Sequence, residues 1–107
     1  MSPEAFPIFQ TLNSEMQRVK AVAPATYKNH VDDAEKRLNL LFDQLNSGSY
    51  STEGLTQLKA LSEALQARNY DLAQSIQTGL AQYPELSAAA MVGVKRLISM
   101  SRATPVS

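Results

Sequence analysis

The chain has 107 residues, 44% of them apolar and 19% charged, which suits one domain built on a single core. Ten basic residues balance ten acidic ones, and this argues against a nucleic-acid or membrane-surface binder, since both depend on a basic excess. With no cysteine, the chain can form neither a disulfide nor a thiolate metal site.

The prolines stand where helices should begin or stop. Pro3 and Pro7 precede a run in which Phe9, Leu12, Met16, Val19 and Ala23 recur at spacings of three and four. That seam predicts a first helix over about 8–22, closed by Pro24. Tyr27, Val31, Ala34, Leu38, Leu41 and Leu45 keep the same rhythm, with Phe42 widening the stripe, and predict a second helix over about 25–46. Asp32, Glu35, Lys36, Asn39 and Asp43 fall on its outer face, and Asp33 stands four residues before Arg37, a helix-supporting spacing.

Gly48 takes the position after a helix end that favours glycine. A serine-rich turn, Ser47 to Thr52, follows, in which Ser49 or Ser51 can cap the next helix. That third helix is expected over about 52–67, on Leu58, Leu61 and Leu65. Arg68 and Asn69 break it from a fourth over about 70–82, built on Ala73, Ile76, Leu80 and Tyr83 and ended by Pro84. Asp71 falls in the first turn of the fourth helix, where the helix dipole favours an anion.

The last helix, expected over about 86–101, is the most apolar. Leu86, Ala89, Ala90, Gly93, Val94, Leu97 and Met100 share one broad face, Met91 and Ile98 form a second strip outside it, and Ser87, Lys95, Ser99 and Arg102 mark a wet side. So wide an apolar arc implies packing on more than one side, and Gly93 implies close approach by another helix. The tail from Ala103 to Ser107 is expected to fray.

No stretch alternates with period two, so the expected fold is all-α: one domain over residues 1–107, a five-helix bundle with mostly antiparallel sequence neighbours and a largely buried last helix. No run is long enough to cross a bilayer, and the N-terminus lacks the layout of a signal peptide, so a soluble intracellular domain is the expectation, with the chain an excised piece of a larger protein. The third and fourth helices resemble one unit of a helical solenoid, but one pair is no array.

Chemistry is sparse. His30, the single histidine, has Asp33 three residues on but no third or fourth ligand. Asp43 to Gly54 imitates a calcium loop through Gly48 at its sixth position, yet has Leu45 at the third and Gly54 at the twelfth. No phosphate-binding glycine loop or nucleophile elbow occurs. The expectation is therefore no catalytic residue, no cofactor, no metal and no small-molecule substrate. Lys95, Arg96 and Arg102 form the one basic cluster. They complement the dipole at the end of the last helix, and they are also the candidate docking patch for an acidic partner, with Met91 and Ile98 joining if that strip is exposed.

Three stretches carry a resemblance: DAEKRLNLLFDQLN (33–46), LSEALQARNYDLAQSIQTGL (61–80) and MVGVKRLISMSRATP (91–105). Together they resemble the domain shared by the steroid receptor RNA activator protein and the C-terminus of the large outer-cage subunit of the coat protein complex II (COPII) vesicle coat, the fungal coat version most of all. Where that family usually has Trp before the Met of MVGVKRLI, this chain has Ala90. The resemblance implies a five-helix bundle in a cytoplasmic scaffold at endoplasmic reticulum exit sites. It also implies a non-catalytic module that links COPII outer-cage subunits, with membrane association only indirect, while the neutral charge leads to the expectation of no direct nucleic-acid contact. The alternatives are an RNA-associated co-regulator domain and a fragment of a helical-repeat scaffold.

Overall fold

A computed structural model describes residues 2–103. Five α-helices follow one another: α1 (Phe6–Val22), α2 (Lys28–Ser47), α3 (Thr52–Gln66), α4 (Tyr70–Leu80) and α5 (Ala88–Ala103), with a 3₁₀ turn at Ala25–Tyr27 between the first two. No strand occurs among the described residues.

The helix ends have local causes. Pro7 lies inside the first turn of α1, where its missing N–H has no partner to lose, so the helix starts at Phe6 rather than after the proline. Pro24 accepts the Tyr27 N–H at 2.9 Å and winds a tight turn before α2. Tyr27 thereby falls outside the second seam, and it is exposed rather than buried. Gly48 closes α2 in the left-handed conformation (φ 74°), where a side chain is disfavoured. Ser51, not Ser49, caps α3, its hydroxyl accepting from the Gly54 N–H at 3.0 Å. The Asn69 side chain caps α4. Single turns over residues 81–83 end α4 two residues early, and Leu86 enters the core from the loop before α5. Ala103 is still helical; the rest of the expected frayed tail, residues 104–107, lies outside the described residues.

Direction follows from which ends meet. Phe9 packs edge-to-face on Phe42 (centroids 4.8 Å apart), and Gln17 and Lys20 reach Glu35, so α1 and α2 run antiparallel. Arg96 pairs with Asp33 and Gln44 bonds to the loop before α5, making α2 and α5 antiparallel as well. Gln77 bonds to Met91 and Asp71 to Arg102, which does the same for α4 and α5. Among sequence neighbours only α2 and α3 make little contact. The apolar arc of α2 already faces α1 and α5, and the left-handed turn at Gly48 leads the chain away. The helices close a ring in the order α1, α2, α5, α4, α3, with α1 and α5 also touching across it. The α3–α4 pair therefore belongs to a closed bundle rather than to a stacked array.

The core runs along both central helices: Ile8, Leu12, Met16 and Val19 from α1, Val94 and Leu97 from α5, and Leu38, Leu41, Leu58, Leu61 and Leu65 around them. As the breadth of its apolar arc implies, α5 packs against three helices, most extensively α2. At Gly93 a Cβ would lie 2.8 Å from the Leu38 backbone nitrogen and 2.9 Å from Arg37 Cβ. Glycine is what brings the two backbones together.

Candidate docking surface

The arc that α5 buries consists of Ala90, Met91, Gly93, Val94, Leu97, Ile98 and Ser101. It is turned by about 60° from the face read off the sequence, at 100° per residue. Met91 and Ile98 lie inside it, each 3% exposed, so neither is available to a partner and the candidate patch shrinks to its charges. The cause is the third neighbour. Ser101 is polar and yet buried, because its hydroxyl meets Arg18 Nη2 at 3.2 Å and Tyr70 Oη at 3.2 Å where α1 and α4 close over it.

Lys95, Arg96 and Arg102 are exposed, but two of them have partners within the chain. Arg102 bonds Asp71 at 2.9 Å on the α4 side. Arg96 turns the other way and pairs with Asp33, whose second oxygen-bound partner is Arg37 at 2.9 Å, across the expected one-turn spacing. Lys95 has no ion pair among the described residues. Hydrogen bonding from Arg37, reinforced by the charges of Arg37 and Arg96, holds the Asp33 carboxyl below its usual range. The carboxylate thus stays ionised and keeps two guanidiniums side by side on the surface.

Two polar devices hold the helices together, one at the start of α5 and one between α1 and the α3–α4 break, and periodicity signals neither. In the first, the Gln44 side chain donates to the Glu85 carbonyl at 2.6 Å and accepts from the Ser87 N–H at 3.2 Å, so a residue of α2 acts as a strand-like partner for the loop ahead of α5. The Ser51 hydroxyl donates to the Glu85 carboxylate at 2.5 Å and draws its pKa down. In the second, Glu15 of α1 is buried (7% exposed) and takes Arg18 at 2.5 Å together with Arg68. Arg68 sits in the left-handed region (φ 61°) at the break between α3 and α4. Burying Glu15 is tolerable because two guanidiniums share its charge.

His30 is exposed on the first turn of α2, its ring 6.2 Å from that of Tyr27. Among the described residues no three of His, Cys, Asp and Glu gather in an arrangement that would hold a metal ion. No described helix is long and apolar enough to cross a membrane.

Residues 4–106 match the family model for steroid receptor RNA activator (SRA1). Among curated proteins, the chain is 48% identical over 104 residues to the protein transport protein sec31 of Aspergillus terreus, covering 95% of this chain and 8% of that protein. It is 50% identical to the protein transport protein SEC31 of Ajellomyces capsulatus and 47% identical to that of Coccidioides immitis, each over 94% of this chain and 8% of the relative. The chain thus spans about 8% of the length of these relatives. No solved structure matches it.

Proposed function

The chain belongs to the steroid receptor RNA activator (SRA1) family, and on that premise we propose that it is a non-catalytic protein–protein interaction module of the COPII outer coat. In this reading it is one domain of a longer coat subunit, and it helps connect cage units as vesicles form at the endoplasmic reticulum. It is cytoplasmic, reaches exit sites and vesicles through the coat, and its partners are other subunits of the outer cage. The observation that carries the reading is its 45–50% identity, over nearly its whole length, to fungal proteins named for protein transport.

The structure supports α5 as the helix that faces a partner. It has no acidic residue, and its exposed side carries Lys95, Arg96 and Arg102 in a chain of zero net charge. Charges at the rim of an interface act mainly on association rate and salt sensitivity. A Lys95→Glu, Arg102→Glu double variant removes the two that stand clear of the Asp33 cluster. It is expected to keep the helical circular dichroism of the parent and to assemble coats on liposomes more weakly, with a flatter salt dependence. A folded variant that assembles as well as the parent would exclude this end of α5 as the docking surface. Binding of the parent to RNA at physiological salt, lost on charge reversal, would favour an RNA-associated role instead.

A further inference from the structure

The ridge where α2 meets α5 carries more than the cations of α5. Asp33, Arg37, Leu40 and Gln44 follow one another at i, i+4, i+7 and i+11, one line along α2. Ala89, Val92 and Arg96 form the facing line on α5. The antiparallel lines are pinned at both ends, by Arg96 on Asp33 and by Gln44 on Glu85 and Ser87. Leu40 and Val92 therefore lie between the pins, and both are well exposed, at 41% and 38%. Because Gly93 seats α5 directly on the α2 backbone, the ridge is a shallow saddle rather than a cleft.

The rim is positive. On α2, Lys36 and Arg37 stand one turn before Leu40, and on α5 Arg96 stands one turn after Val92, against Asp33 within the ridge and Asp43 one turn beyond Leu40. Asp33 is engaged twice. An incoming carboxylate can take over one guanidinium and leave Asp33 its other partner, so neither charge is stranded.

We propose that this saddle binds an acidic segment of a partner protein, which sets an apolar side chain between Leu40 and Val92 and its carboxylates on the arginines. The proposal rests on the interaction-module reading and specifies the partner's chemistry, extending the surface from α5 onto α2. A protein segment fits better than a lipid surface. Membrane binding by a surface helix combines a broad apolar face with a basic excess, whereas two large side chains are exposed here in a chain of zero net charge.

The test is a titration of the ¹⁵N-labelled chain with a capped peptide of alternating Glu-Glu-Leu units, beside its Lys-Lys-Leu counterpart. The acidic peptide is expected to shift amides over 36–40 and 89–96 and to lose affinity as salt rises. Leu40→Ser and Arg37→Glu should each weaken binding about tenfold, the scale of a contact that matters at an interface. Leu72→Ser, at a somewhat more exposed site on α4, should leave binding unchanged. Shifts confined to another face, equal response to the lysine peptide, or no saturable change at millimolar peptide would each overturn the proposal. So would binding to phosphatidylserine vesicles that Leu40→Ser abolishes, which would make the saddle a membrane contact. Failure here alongside weakened coat assembly by the α5 double variant would remove the saddle and leave the interaction-module reading standing.

Discussion

Two glycines show how one residue type takes opposite roles in neighbouring helices. Gly93 has the α2 backbone within 3 Å of where its Cβ would stand, whereas a Cβ at Gly79 of α4 would meet nothing within 4 Å. Intrinsic propensity favours alanine at both by about 0.5–1 kcal/mol. At Gly79 nothing opposes that gain, so Gly79→Ala is expected to stabilise by roughly this amount. At Gly93 the new methyl must push α5 off α2, and Gly93→Ala is expected to cost about 1–3 kcal/mol, the usual range for overpacking. Urea denaturation of the two variants checks both, and equal gains would mean the helices separate freely at that point. Ala90 is wholly buried one turn before this contact, so a larger side chain there would have to displace its neighbours.

At the scale of the element, α5 organises the bundle through what it buries on three sides. Leu97 is fully buried within that arc, and Leu97→Ala is expected to cost about 2–5 kcal/mol, the range for emptying a leucine site in a packed core. Lys59, exposed on α3, touches no such feature, and Lys59→Ala should change stability by about 0.5 kcal/mol or less. Chemical denaturation separates the two. Small, equal losses would make α5 peripheral, against the packing described above. The helix has a fixed rotation as well as a fixed position, set by Ser101 against Arg18 and Tyr70 and by Gln44 against the preceding loop.

For the whole molecule, the inter-helix carboxylates set the response to acid. Hydrogen bonding from Arg37 lowers the Asp33 pKa, from Lys20 that of Glu35, and from Ser51 that of Glu85. A carboxyl whose folded pKa lies below its unfolded value contributes stability that is present above the unfolded pKa, about 4, and lost as pH falls through the folded one. The denaturation midpoint is therefore expected to hold between neutrality and about pH 5 and to fall progressively below about pH 4. All three groups are on the surface, so the effect should be modest and weaken with salt. An Asp33→Asn, Glu35→Gln, Glu85→Gln triple variant should have a lower midpoint at neutral pH and a flatter acid limb. An acid limb as steep as the parent's would place the sensitive groups elsewhere.

The residue pattern alone places the elements and carries the family resemblance. Apolar spacings of three and four, prolines at the breaks and a glycine after α2 are local facts, and each acts through the helix that contains it. Hence five helices, the Gly48 cap, a serine cap at Ser49 or Ser51, the Asp33–Arg37 pair and the need for a close neighbour at Gly93 are all legible, as is the resemblance in MVGVKRLI. Which way each helix faces its neighbours emerges only in the assembled bundle. Met91 and Ile98 fall outside the arc centred near Leu86 and Leu97 because periodicity finds one best face, while burial depends on how many helices surround a position. Ser101 went under because Arg18 and Tyr70, 83 and 31 residues away in sequence, satisfy its hydroxyl. The docking surface was half legible for the same reason. Lys95, Arg96 and Arg102 are visible as charges on one helix, but Arg37 and Leu40 become neighbours of Val92 and Arg96 only when Gly93 brings α2 against α5.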